Sequence, residues 1–509
     1  MEEDQAVMEN SGEYKELLVI FKKIAYLKST SRLLSWDQET FMPERGQEHR
    51  AGQMSCISGL VHSMLTERRV GESIEALWQE ARNMDISSDC HVNLREWRRQ
   101  YQQAARLPEE LVRDLAYSRA VAHSAWVKAR SRKDFSMFEP HLQRLVDLSR
   151  KKADLLGYKQ EPYDALLDIY EPGEKTSNIE AIFRGLVPGL REILHHVQSI
   201  QPQQPLCFQA AFPVEAQKIL ARLMAARIGF DFTKGRVDTV VHPFSTRIGP
   251  GDVRITSRWN ERDFTEGLFG VLHEAGHGLY SQNLPAGHFG TPLGDSVSLG
   301  IHESQSRLWE NIVGRSIEFW EYFFPLAKSL FPGQLQGVSQ QDFVRFINRV
   351  RPSFIRVEAD EVTYNLHIYL RFQIEREIIM GELPVKDIPG RWNELFREIF
   401  GMEVPDDSMG CLQDVHWSGA AFGYFPTYTL GNIYSAMIFD AAMKELPGLR
   451  QGFRKGNFEP LVRWLDTRIF SQGQRYRSRQ LIKRITGRPP AHHSFLAYLH
   501  EKYERIFGR

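Results

Sequence analysis

Along roughly the first two hundred residues, apolar positions return at helical spacing in one segment after another. The stretch LPEELVRDLAYSRAVAHSAWVKAR shows how such a helix is specified. Pro108 opens it, Glu109 and Glu110 fill its first turn, and Leu111, Leu115, Val121 and Trp126 recur at helix-like intervals. Breaks fall at Tyr170-Glu171-Pro172-Gly173 and in the proline-rich stretch from Gln201 to Pro205. The middle of the chain changes character. Val237, Val240 and Val241, then Val253 and Ile255, flank a turn containing Gly249-Pro250-Gly251, which predicts a β-hairpin. Helices resume from about Asp263, and a glycine- and proline-rich loop from Asn283 to Gly294 interrupts them. The pattern predicts a mainly α architecture with a small β-sheet.

Composition narrows the function classes. The 509 residues are 42% hydrophobic and 25% charged, ordinary for a globular protein, and the formal net charge is zero. No basic field exists to gather nucleic acid or anionic lipid, so neither nucleic acid nor membrane is expected as a partner. Cys56, Cys90, Cys207 and Cys411 form no CxxC pair, so neither a disulfide framework nor a thiolate metal site is expected. The start, MEEDQAVMENSGEYK, lacks the parts of a signal peptide, and no stretch approaches the roughly 18 apolar residues of a membrane span. A cytoplasmic location is the expectation.

One segment carries chemistry outright. In HEAGH, His273 and His277 are four residues apart, so on a helix both imidazoles reach one ion, and Glu274 is placed to take a proton from the attacking water. At ~100° per residue, Phe264, Leu268, Val271, Ala275 and Leu279 form a packing stripe nearly opposite the two histidines. Gly270, Gly276 and Gly278 are expected to leave room for metal and substrate. Zinc is the expected ion, with cobalt able to substitute. A catalytic zinc needs a third protein ligand and one open position. Tyr280 and Asn283 stand where a metzincin extension requires glycine and histidine, so that ligand comes from elsewhere. The candidates are His288, Asp295, His302, Glu303 and Glu310. Glu303, on a predicted helix from Ser296 to Val313, is the first choice; His302, Glu310 and Asp295 are candidate partners of a ligand's free ring nitrogen.

Two further segments read as cleft walls. Pro352 and Ser353 are expected to open a helix that Gly381 closes. Arg356, Asp360, Tyr364, His367, Arg371 and Glu375 share one side of it. Such a stripe reads first as a solvated, ion-paired face, and Tyr364 and His367 at its centre argue for a cleft instead. Gln413, Asp414, His416, Tyr424 and Tyr428 lie among glycines in an aromatic-rich, charge-poor segment, a lining for a desolvated pocket with donors for an oxyanion.

Taken together, the motifs SWDQETFMP, HPF (His242 to Phe244), DVRIT (Asp252 to Thr256), HEAGH, IHESQSRLWEN, FIRVEADEVTYNLHIYLR, GCLQDVHW and the tail FLAYLHEKY resemble the M32 family of metallocarboxypeptidases, the carboxypeptidase Taq type, over nearly the whole length. The resemblance implies a large helical two-lobed cleft fold of gluzincin type and one peptidase domain over 1–509. Within it a helical part ends near 235, the metal-site core spans about 236–440, and a helical tail spans about 441–509. It implies a homodimer that removes single residues from the C-termini of peptide substrates with broad specificity. By motif position it makes His273, His277 and Glu303 the metal ligands and Glu274 the base. It points to Arg356 as anchor of the substrate carboxylate, with Arg254 as rival or helper, and to His416, Tyr424 and Tyr428 as substrate or oxyanion contacts. Asp295 stands where the family commonly has glutamate, and Trp36 and Asp37 carry a motif without an evident chemical role. The competing readings are an endo-acting metallo-oligopeptidase and an inactive peptide-binding protein.

Overall fold

The computed structural model describes every residue except Met1, 203–205, 207, 209 and Arg509, so Cys207 and the end of the proline-rich break lie outside the described residues. Helices dominate from end to end. The elements that carry the argument are α1 (Gly12–Thr40), α2 (Asp89–Ala105), α3 (Phe264–Asn283), α4 (Leu299–Arg307), α5 (Tyr364–Met380) and α6 (Pro426–Glu445). Their starts follow from local chemistry. Ser11, Ser88 and Ser298 accept from backbone N–H groups in the first turns of α1, α2 and α4, and Asp263 does the same for α3 through Thr265 N.

The strands are β1 (Gly235–Thr239), β2 (Ser245–Gly249) and β3 (Asp252–Ser257), in the order β1-β3-β2. The expected hairpin needs correction. The antiparallel partner of β3 is β2, whereas β1, which holds Val237, pairs with β3 in parallel from Gly235↔Val253 to Thr239↔Ser257. Strand β2 reads STRIG, with only Ile248 buried, so no apolar alternation advertises it. Its Thr246 lies opposite Arg254, and Phe244 just before it exchanges hydrogen bonds with Thr256.

The apolar interior falls into two large clusters. One runs from Ala122 to Phe507 and crosses the sequence divisions near 235 and 440; the other joins Met8, Leu17, Phe21, Ile74, Leu94 and Trp97 of the N-terminal helices. The seam between them is polar. Arg95 donates to Gln474 O at 2.6 Å, Arg477 pairs with Glu96 at 2.9 Å, and Arg475 pairs with Asp89 at 2.8 Å. Trp36 on α1 stacks over Arg254 with the guanidinium carbon 4.1 Å from the ring centroid, and Arg50 pairs with Asp37 at 2.7 Å. The SWDQ motif thus packs α1 against β3 through Trp36 and ties it to the helix Gln47–Thr66 through Asp37.

Candidate active site

On α3 the expected packing stripe is fully buried: Phe264, Leu268, Val271, Ala275 and Leu279 all lie in the core. His273 and His277 face the other way, half-buried, and Glu274 is 6% exposed. The glycines of this helix do something other than leave room for a ligand. A Cβ on Gly276 would lie 2.6 Å from Gln305 O and 2.7 Å from Ser306 Cα, so Gly276 is what lets α3 and α4 touch backbone to backbone. A Cβ on Gly278 would meet Phe230 at 2.5 Å and Ile255 at 3.3 Å, beneath β3. On the far side of α4, a Cβ on Gly431 of α6 would lie 2.4 Å from Glu303 Cγ. Glu303 therefore sits on a helix wedged between two others at glycine contacts, which fixes its position relative to His273 and His277.

Those three side chains converge. One donor atom from each of His273, His277 and Glu303 lies within 4.8 Å of the others. Both histidines turn the same nitrogen inward: Glu303 Oε2 is 3.4 Å from His277 Nε2 and 3.8 Å from His273 Nε2. Their outer nitrogens are occupied. His273 Nδ1 lies 2.8 Å from Glu310 Oε2, and His277 Nδ1 lies 2.5 Å from His302 Nδ1, whose own Nε2 is 3.4 Å from Ser281 Oγ. These outer contacts suit the tautomer in which Nδ1–H is donated outward, and in that form each Nε2 would offer its lone pair to an ion. Glu310 and His302 thus lie against the outer nitrogens of His273 and His277. Asp295 does not: its exposed carboxylate accepts from Ser296 N, away from both imidazoles. His288 is also outside the cluster, 4.0 Å from Asp89.

Electrostatics favour a cation here. Burial opposes ionisation of Glu303 and Glu310, yet Arg307 and His273 hold Glu303 well below the usual carboxylate range and bring Glu310 down to about 2. Against the same burial, Glu303 and Glu310 lift His273 to about 9. Burial pushes the Glu274 carboxyl up, with His273 and His277 pulling against it. The two imidazoles and one carboxylate that converge form a donor set that fits a divalent ion, with the Glu310 and Glu274 carboxylates close by.

The expected helix from Pro352 is shorter than its sequence pattern. Arg356–Glu358 is a single 3-10 turn, and α5 begins only at Tyr364. Asp360 is the cause: its Oδ1 accepts from Val362 N and Thr363 N, and its Oδ2 from Arg351 N and Thr363 Oγ1, so the backbone turns there instead of continuing helically. Nor is the stripe solvated, since Arg356, Tyr364, His367, Arg371 and Glu375 are all buried. Arg356, Tyr364 and Arg371 meet around Asp414. Arg356 donates through Nε and Nη2 to Asp414 Oδ1 at 2.9 and 2.8 Å and through Nη1 to Tyr364 Oη at 2.8 Å, while Arg371 Nε donates to Asp414 Oδ2 at 2.6 Å. Gln413 accepts from Arg356 N at 2.8 Å. Glu375 lies deeper, accepting from Tyr163, Trp417 and Gly423 N.

The aromatic segment closes over this arrangement. Rings of Tyr428 and Phe425 lie 5.1 and 5.6 Å from the Arg356 guanidinium carbon, and His416 Nε2 is 3.3 Å from Tyr428 Oη. Burial pushes His416 down to about 4, with Arg356 and Arg371 adding to the effect and Asp414 opposing it. Burial lifts the Tyr424 hydroxyl to about 12 and Tyr428 likewise upward. All three are neutral groups with hydrogen-bonding tips. Arg254 lies elsewhere on the sheet, paired with Asp252 at 2.8 Å beneath Trp36. The residue the sequence reading missed is Arg307, one turn after Glu303, whose signal was the i, i+4 spacing within α4.

A two-histidine, one-glutamate cluster on closely packed helices, with a glutamate beside the first histidine, is the architecture of a metallopeptidase. The chain belongs to the family described as carboxypeptidase Taq (M32) metallopeptidase, which it matches over residues 16–503. It is 45% identical to thermostable carboxypeptidase 1 of Thermus thermophilus over 97% of this chain and 99% of that protein. It is 36% identical to carboxypeptidase 1 of Bacillus subtilis over 97% and 98%. The crystal structure of the M32 carboxypeptidase from Deinococcus radiodurans superposes with a TM-score of 0.94 at 36% identity, covering 98% of this chain and all of that one. Trypanosoma cruzi metallocarboxypeptidase 1 gives 0.93 at 34% identity, covering 98% and 99%. The protein is a metallocarboxypeptidase, a hydrolase of peptide bonds, and neither the endo-acting nor the inactive reading is favoured.

Proposed function

We propose that this protein is a zinc carboxypeptidase in which His273, His277 and Glu303 hold the ion, Glu274 is the general base and Arg356 binds the terminal carboxylate of the peptide. The observation that carries the reading is the convergence of both Nε2 atoms on one oxygen of Glu303 beside buried Glu274. A zinc ion so held supplies Lewis acidity toward the scissile carbonyl and makes water acidic enough to attack near neutral pH; cobalt serves the same ligand set.

Glu274 takes a proton from the attacking water as the new C–O bond forms, then delivers it to the amine nitrogen as the C–N bond breaks, releasing one amino acid and a shortened peptide. Burial, which raises its affinity for a proton, suits it to both steps. Tyr424, Tyr428 and His416, neutral in this pocket, offer hydrogen bonds to the developing oxyanion or to the substrate backbone. Three of the five N–H groups of Arg356 are used by Asp414 and Tyr364, which orient the cation and leave two donors for a carboxylate. Arg254, with its own carboxylate and ring, is assigned to support the sheet.

No helix among the described residues is long and apolar enough to cross a membrane. A cytoplasmic homodimer acting on peptides is the setting we propose, to be checked by sedimentation and by fractionation. The decisive experiment follows peptide products over time by mass spectrometry, using one peptide with a free C-terminus and its amidated form. A ladder shortening from the free C-terminus, absent for the amide, is expected; internal cleavage of both would overturn the reading.

A further inference from the structure

Glu303 sends its two oxygens in different directions. Oε2 faces His273 and His277, while Oε1 accepts from Arg307 Nε at 2.7 Å. Arg307 also reaches the partner of His273: its Nη1 is 3.3 Å from Glu310 Oε2. Its other face is covered by Tyr364, with the guanidinium carbon 4.4 Å from the ring centroid, and the Tyr364 hydroxyl accepts from Arg356 at 2.8 Å. The side chain of Arg307 is 12% exposed, so these contacts operate away from bulk water.

We propose that Arg307 is a positioning residue of the metal centre, which captures one oxygen of Glu303 so that a single oxygen faces the ion site, with Tyr364 holding the guanidinium in plane. The inference rests on the reading of His273, His277 and Glu303 as ligands. Its physical content is a constraint on coordination. A carboxylate free to rotate offers a small cation both oxygens, and the second would take the open position that hydrolysis needs. Arginine suits the task because its rigid fork binds Glu303 and Glu310 at fixed angles, whereas lysine supplies a mobile point charge.

The test loads the full-length protein with Co2+ and reads affinity by chelator competition together with the visible absorption per cobalt, which weakens as coordination rises above four. Arg307→Gln is expected to fold, to bind Co2+ about 10- to 100-fold more weakly, and to show the weaker absorption. Arg307→Lys is expected to recover part of the affinity but not the spectrum. Parent-like affinity and spectrum in Arg307→Gln, or full recovery of both by Arg307→Lys, would overturn the proposal. If Arg307→Gln does not fold, Tyr364→Leu removes the stacked ring and keeps the charge; it is expected to move the same spectrum, and an unchanged one overturns the proposal. Failure of the metal reading looks different, because the parent itself would then take up no stoichiometric Co2+.

Discussion

Glu310 approaches His273 from the ring edge opposite Glu303, at 2.8 Å from Nδ1, so one imidazole stands between two carboxylates with its two nitrogens doing different work. The outer contact fixes the tautomer and raises the basicity of the inner nitrogen. Glu310→Gln should weaken zinc binding by about 10- to 100-fold, measured by chelator competition, with the fold retained by circular dichroism. Unchanged affinity would remove Glu310 from the metal centre.

Glu274→Gln separates chemistry from binding. The variant should keep stoichiometric metal, because His273, His277 and Glu303 are untouched, and lose on the order of 10²- to 10⁴-fold in kcat. Normal turnover in this variant sinks the general-base assignment.

The carboxylate anchor is tested by two arginines in parallel. Arg356→Ala should lower kcat/KM on free C-termini by about 10- to 100-fold, the scale of one lost charge-assisted contact. Arg254→Ala should change it by less than about threefold and lower thermal stability instead, because its contacts are to Asp252 and Trp36. A larger kinetic loss from Arg254→Ala would move the anchor to that residue.

Asp414 gives the pH dependence a definite sign. Burial opposes its ionisation, but Arg356 and Arg371 overcome this and hold the carboxyl far below its ordinary value. A folded-state pKa below the unfolded value of about 3.9 contributes stability at higher pH and loses it as pH falls. Asp414→Asn should therefore cost about 3–5 kcal/mol at pH 7, as expected when one partner of a buried ion pair is removed. In urea titrations the gap between parent and variant should stay constant down to about pH 5 and narrow below about pH 4. A gap that widens on acidification would contradict the ion-pair account.

The parts of this site legible in the sequence are those fixed by one helix. His273, Glu274, His277 and the buried stripe from Phe264 to Leu279 follow from helical period alone, and Asp263 marks the start of α3. What the sequence hid depends on tertiary contact. The charged stripe from Arg356 to Glu375 has the spacing of a solvated helix, and only the fold brings Asp414 from another segment to meet Arg356 and Arg371. Asp360 looks like one more member of that stripe until its hydrogen bonds show it ending the extended run before α5. Strand β2 escaped notice because an edge strand with one buried residue carries no alternation.

Gly431 brings no functional group to the reaction, yet any side chain placed there would collide with the side chain of Glu303. A methyl group there would meet Glu303 Cβ at 2.7 Å and its backbone carbon at 3.1 Å, so it would shift α4 together with the carboxylate proposed to hold the ion. A saturation library scored for peptide release should rank Gly431 beside the histidines, and its variants should also lose melting temperature because α4 and α6 meet at this position.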